Sequence, residues 1–254
     1  MRRTVTHAAD VPIGIMMLET GFPRIRGDIG NAETFDFPVL YQTVKGASPQ
    51  RVVIDADPSL LQPFIKAAQA LVQRGAQALS TSCGFLAMFH RELVEAVEVP
   101  VYTSSLLQVH TGQALLRKNQ RVGILTAREQ SLTHKHLAGV GIQHYPLALV
   151  GMEEADEFSN VFLGRKCTLD TAKCRRELVD AALKLTRLHP TVGAIVLECT
   201  NMPPFSEAIR QATGLPVFDV VTMLNYAYST LVRKDLMSVL LRSVSQEKKA
   251  ALRF

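Results

Sequence analysis

The sequence predicts an α/β protein of two pseudo-symmetric lobes, each a parallel sheet flanked by helices. Three observations point there. Short apolar runs alternate with segments of helical periodicity through most of the 254 residues. The pattern restarts near Arg121. Two matching turns, Ser82-Cys83-Gly84-Phe85 and Glu198-Cys199-Thr200-Asn201-Met202-Pro203, each follow an apolar run, and each cysteine is followed 17 residues later by a Pro-Val-aromatic run, Pro100-Val101-Tyr102 and Pro216-Val217-Phe218. A shared spacing of this kind marks an internal repeat. Equivalent strands then aim their carboxyl ends at one cleft, where ligands bind in open parallel sheets, and each lobe brings one cysteine to it.

In chain order, residues 1–10 read as a loose leader. Val11 to Leu18 is a continuous apolar run of the buried parallel-strand kind. A glycine-rich loop over 19–31 follows, and Arg24 or Arg26 in it suits a two-pronged grip on a carboxylate. Phe37 to Val44 is a second strand. Asp57 caps a helix with Pro58 at its first position, and Gly75 ends it. The Cys83 strand comes next, then a helix to about Val97, the strand Val99 to Ser104 and a helix to about Lys118. The second round runs through the strand Arg121 to Ala127, a helix Arg128 to Leu137 and a strand Tyr145 to Val150. The acidic stretch 151–167 reads as irregular, with Glu153 to Glu157 in it as a solvated loop. A helix Thr168 to Leu188 follows, with Leu169, Ala172, Leu178, Ala181 and Leu185 on its buried side. The Cys199 strand, a helix opened by Pro203 and Pro204, and the strand Leu215 to Val220 complete the round. The remainder reads as helix, with a charged tail from about Gln246.

Apolar residues make up 47% of the chain and charged residues 20%, enough for a sizeable core. The net charge of +5 is spread without a basic run interleaved with aromatics, which argues against a nucleic-acid partner. No apolar run has the length of a membrane span or of a signal peptide. Four cysteines are too few for a disulfide scaffold and lack zinc-site spacing, so no metal is expected. Free thiols suit a cytoplasmic location. Cys167 and Cys174 lack the strand-to-helix setting and read as structural. Cys83 and Cys199 each precede a helix start, where N–H groups favour a thiolate.

The two cysteine motifs resemble those of the aspartate/glutamate racemase superfamily, whose members include amino-acid racemases, hydantoin racemase, arylmalonate decarboxylase and maleate isomerase. The likeness covers nearly the whole chain in order and spacing. It implies lobes over 1–118 and 119–221, the first completed by C-terminal helices over 222–254, with the active site between them. It implies a cofactor-independent enzyme, a small carboxylate as substrate and a homo-oligomer. Cys83 and Cys199 would be the two catalytic thiols, one removing a proton beside the carboxylate while the other supplies one. Ser82, Gly84, Phe85, Thr126, Thr200 and Asn201 are the implied substrate-binding residues, with Arg24 from the loop reading. The expectation is therefore a racemase or epimerase, an isomerase. A maleate-type cis-trans isomerase, a decarboxylase and a non-catalytic acid-binding protein are its alternatives. The chain departs from the amino-acid racemases at Gly84-Phe85, where Asn-Thr is common, and at Asn201, where His or Glu is common. No residue clearly matches the acidic group after the first strand, although Glu19 and Asp28 are near.

Overall fold

A computed structural model describes residues 11–164 and 166–233. The charged tail from Gln246 and the leader lie outside the described residues. Two four-stranded parallel sheets form the frame. The first holds β1 (Ile13–Met17), β2 (Val39–Thr43), β3 (Ala78–Thr81) and β4 (Val101–Tyr102), in the order β2-β1-β3-β4. The second holds β5 (Arg121–Thr126), β6 (Leu147–Gly151), β7 (Val192–Leu197) and β8 (Val217–Phe218), in the order β6-β5-β7-β8. The strand orders are the same, and so are the registers. Gly14 pairs with Leu79 as Gly123 pairs with Ile195. The repeat seen in the sequence is thus a repeat of topology.

The helices form where apolar residues recur at helical spacing and caps allow. In the first half these are α1 (Leu61–Gln73), α2 (His90–Glu95) and α3 (Val109–Ala114). Asp57 accepts a hydrogen bond from the Ser59 amide, but a 3-10 turn (Pro58–Leu60) intervenes before α1. Phe64, Ala68 and Leu71 of α1 are buried against the first sheet. In the second half lie α4 (His134–Gly139), α5 (Asp156–Phe162), α6 (Thr171–Leu188) and α7 (Ser206–Thr213). Gly14 and Gly123 let the crossover helices sit close. A β-carbon on Gly123 would lie 2.7 Å from Leu185 Cδ2 and 2.9 Å from Val192 Cγ1, and one on Gly14 would lie 2.7 Å from Leu79 Cδ2.

Helix α8 (Val220–Leu231) starts at Asp219, whose side chain accepts from the Thr222 amide in a capping box. Its buried Val220, Met223 and Leu224 join Ile13, Ile15, Ala78, Phe35 and Phe37 in a core on the first sheet. The chain therefore crosses back after β8.

Three local readings need correction. The span Arg128 to Leu137 is not one helix. It is a 3-10 turn (Glu129–Ser131) and then α4, because Thr133 and His136 build a new capping box. The stretch 151–167 is not irregular throughout, and Glu157 is not solvated. It contains α5, with Glu157, Phe158, Val161 and Phe162 buried. Glu157 is held by Lys166 at 2.5 Å and by the Asp170 amide at 2.7 Å, which compensates its burial. On α6 the buried face is Cys174, Leu178, Ala182 and Leu185, so Ala172 is exposed and Ala181 half-buried.

Valine at Gly123 would drive a larger side chain into Leu185 and Val192. Gly123→Val is expected to lower stability by about 1–3 kcal/mol, read as a shift of the urea midpoint with an unchanged slope.

Candidate active site

The two cysteine turns leave their sheets by the same construction. The Ser82 amide donates to the Met16 carbonyl at 2.9 Å, and the Glu198 amide donates to the Leu125 carbonyl at 2.8 Å. Each bond carries the strand one residue beyond the ladder and turns the next residue, the cysteine, into the space between lobes. Cys83 then caps a 3-10 helix (Gly84–Phe89) with an extended backbone. Its sulfur receives the Phe85 amide, as the Cys199 sulfur receives the Asn201 amide. Thr200 Oγ1 donates to the Ser82 carbonyl at 2.7 Å and joins the two turns across 118 residues of sequence.

Both cysteines line one narrow pocket between the lobes. Ser82, Phe85, Glu198 and Asn201 line it from the two turns. Leu18, Thr20 and Phe22 come from the exit of β1, and Phe162 and Leu163 from α5 and the residue after it. The rings of Phe22 and Phe162 meet edge to face at 5.0 Å. The wall is mostly apolar, with hydroxyl, amide and carboxyl groups at the turns.

Other residues expected at the site stand behind this wall. Arg24 donates to Asp28 Oδ1 at 2.9 Å and to Thr20 Oγ1 at 2.8 Å, and its guanidinium lies 4.4 Å from the Phe22 ring centre. Thr126 donates to Glu198 Oε2 at 2.9 Å. Thr200 is spent on joining the turns. Gly84 lies against Glu198, where a β-carbon would be 2.3 Å from both its carbonyl oxygen and Oε1.

Sequence reasoning did not single out Glu198, Asp28 or Phe162 as site residues. Asp28 accepts from Asn201 Nδ2 at 2.5 Å and from the Gly30 amide at 2.7 Å, so it ties the 19–31 loop to the second cysteine turn. Asn201 Oδ1 in turn accepts from the Cys199 thiol at 3.4 Å. The one available signal for Glu198 was its place beside Cys199, and for Asp28 its place after the first strand.

Electrostatics correct a further expectation. The helix starts were expected to favour thiolates. Burial instead pushes both thiols well above the ordinary cysteine value, and the Glu198 charge adds to the rise. The single amide bond to each sulfur opposes this without reversing it, since the helix after Cys83 opens as a six-residue 3-10 segment with little dipole. Glu198 itself is pushed up to about 7 by burial, against the lowering effect of Thr126 and the Ala127 amide. Near neutrality both cysteines rest as thiols. Among the described residues no group of three or more His, Cys, Asp and Glu side chains could hold a metal ion.

The two like lobes are what the cysteine motifs implied, and comparison with known proteins agrees on family and fold. Residues 107–225 match the family model described as Asp/Glu/Hydantoin racemase. The chain belongs to the aspartate/glutamate racemase superfamily. Among superfamily structures it resembles unliganded arylmalonate decarboxylase, with a TM-score of 0.56 at 15% identity, over 89% of this chain and 94% of that one. It also resembles allantoin racemase from Pseudomonas fluorescens, with a TM-score of 0.58 at 18% identity, over 88% and 91%. At these identities the likeness is one of fold.

Closer in sequence is a dimethylsulfoniopropionate lyase of Durusdinium sp. clade D, 30% identical over 229 residues, covering 87% of this chain and 74% of that protein. Dimethylsulfoniopropionate lyase 3 of Emiliania huxleyi (strain CCMP1516) is 29% identical over 88% of this chain. The chain spans 61% of the length of that relative. These relatives overturn the expectation of a racemase or epimerase: they are lyases, not isomerases, on the same scaffold. The physical reason that sequence reading went astray is that proton removal beside a carboxylate is common to both reactions.

The exposed Cys167 is expected to react with limiting iodoacetamide at neutral pH well before the buried Cys83 and Cys199. Peptide mapping by mass spectrometry checks the order.

Proposed function

We propose that this protein is a lyase acting on dimethylsulfoniopropionate or a close sulfonium carboxylate, by elimination. The observation that carries the reading is the pair of cysteines on one apolar cavity in a chain whose 30%-identical relative is such a lyase. A carboxylate with a sulfonium group on its β-carbon loses an α-proton to a base, the α–β double bond forms, and the carbon–sulfur electron pair leaves on the neutral sulfide. Acrylate and dimethyl sulfide are the products. The proton need not return to carbon, so one thiolate suffices as base and the other thiol serves to position.

The cavity wall suits this substrate. Sulfonium methyl groups are greasy yet carry positive charge, and the aromatic residues Phe22, Phe85 and Phe162 give them a surface. A cation at an aromatic face gains about 0.5–2 kcal/mol. Ser82 and Thr20 offer hydroxyls for the carboxylate end. Arg24, held by Asp28 and Thr20, backs Phe22 and contributes positive potential toward Cys83. Free thiols at both positions suit a reducing compartment such as the cytoplasm. Among the described residues no helix is long and apolar enough to cross a membrane.

The test is to incubate the protein with dimethylsulfoniopropionate and follow acrylate by NMR and dimethyl sulfide by headspace gas chromatography. Wild-type protein is expected to release both in equal amounts. Cys83→Ala and Cys199→Ala are each expected to lose ~100-fold or more. Absence of acrylate at every pH tried, from a folded wild-type chain, would overturn the lyase reading.

A further inference from the structure

Glu198 occupies the place in the second lobe that Ser82 holds in the first. Each donates its amide to the carbonyl of the neighbouring strand, and each precedes its cysteine. Each side chain also accepts the same backbone N–H: Ser82 Oγ takes the Leu18 amide at 2.8 Å, and Glu198 Oε2 takes the Ala127 amide at 3.3 Å. Leu18 and Ala127 are equivalent, each four residues beyond the paired glycines Gly14 and Gly123. One hydroxyl oxygen is enough for this structural task. Glutamate brings a second oxygen that the task does not use.

That second oxygen is placed at a cost. Glu198 is fully buried, and Oε1 has no hydrogen-bond partner. An unpaired buried carboxyl oxygen is destabilising unless something else requires it. Space is kept for it by Gly84, where any side chain would collide with Oε1 at 2.3 Å. Glu198 lines the cavity with Cys83 and Cys199, and its charge bears on both sulfurs.

We propose that Glu198 takes the proton from the reacting cysteine by way of one bridging water, so that a buried thiol becomes the thiolate base of the elimination. The step balances: the thiol proton passes to the carboxylate, the thiolate takes the α-proton of the substrate, and the carbon–sulfur pair leaves on the sulfide. The thiol is restored, and Glu198 returns its proton to water. Two features favour the transfer. Once Glu198 is neutral its charge no longer opposes the thiolate, and a sulfonium cation in the low-dielectric cavity favours the thiolate directly. The titration of Glu198 near 7 matches a proton acceptor working at neutral pH.

The groups that face Glu198 are few. Cys83 comes from the first turn and Cys199 from its own. Thr126 and the Ala127 amide come from the exit of β5, and the Ser105 hydroxyl lies 3.3 Å from its backbone carbonyl. Arg24 and Asp28 act on the cysteines and pair with each other. His136 packs its ring on Phe85 and is pushed down to about 4 by burial, so it is neutral in the range concerned. This leaves Glu198 to set the pH response.

The inference serves the lyase reading, yet thiol alkylation tests it without substrate. With Cys167 replaced by serine, the rate of iodoacetamide modification of Cys83 and Cys199 is measured against pH. If thiol and carboxylate share a proton, the thiolate population rises roughly tenfold per pH unit up to about pH 7 and then levels. In Glu198→Gln the levelling is lost, and the rate climbs on toward the high value of a buried thiol. Turnover in Glu198→Gln is expected to fall ~100-fold or more, while Glu198→Asp keeps a carboxylate and recovers part of it. Circular dichroism melts confirm that both variants are folded. A wild-type alkylation profile with no levelling near neutrality, or Glu198→Gln turnover within a few-fold of wild type, would overturn the inference. A levelled profile that Glu198→Gln abolishes, in a protein that releases no acrylate, would uphold the proton transfer and remove the lyase reading instead.

Discussion

The hydrogen bond from Thr200 to the Ser82 carbonyl joins two turns that come from different sheets, and the site exists because those turns meet. Each sheet alone would present a cysteine at the end of a strand, open to water and facing nothing. Brought together, the turns exclude solvent and place two sulfurs and a carboxyl on one small cavity. The supporting contacts have the same logic. Ser105 donates to the Leu197 carbonyl at 2.5 Å from the first half of the chain to the second, and Asp28 reaches Asn201 across 173 residues. In these contacts, polar groups that would be costly in a closed core are matched across the lobe boundary, with Glu198 Oε1 left out.

Burial sets the chemistry as much as residue type does. The same thiols on an exposed turn would be ordinary nucleophiles, open to oxidation. Enclosed, they are poor acids. An apolar wall that raises thiol pKa values also strengthens every charge interaction made within it.

Much of this was legible in the chain. The matched cysteine-to-proline spacing and the paired glycines, Gly14 and Gly123, stand at equivalent positions of two like sheets, because a repeat writes the same packing demand twice. Asp57 with Pro58 marked a helix start through local chemistry alone. What escaped depends on contacts distant in sequence. Helix α5 is short, and the acidic residues in and before it concealed Phe158, Val161 and Phe162 on its buried side. The break at Thr133 rests on a histidine acting as a capping side chain, an unusual role for that residue. Arg24 could be named as a cation, but its partners Asp28 and Thr20 are fixed by the fold of the loop. Glu198 stood in plain view beside Cys199, yet an acidic residue at a strand end normally reads as solvated, and its complete burial is a property of the assembled lobes. The racemase expectation failed for a different reason, since the paired cysteines mark the scaffold and the relatives that share it are named as lyases.

The substitution of glutamate for serine at equivalent points of the two lobes breaks the two-fold relation where it matters most. A racemase must treat mirror-image substrates nearly alike and gains from two equal faces. An elimination from a substrate whose α-carbon carries two hydrogens has no such need. With a carboxyl beside one turn and a hydroxyl beside the other, the faces of the cavity are unequal, and an achiral molecule lying between them presents two hydrogens that are no longer equivalent. In a duplicated scaffold, the residues at which the two halves differ, Ser82 against Glu198 and Phe85 against Asn201 on the cavity wall, are the ones able to tell two prochiral hydrogens apart.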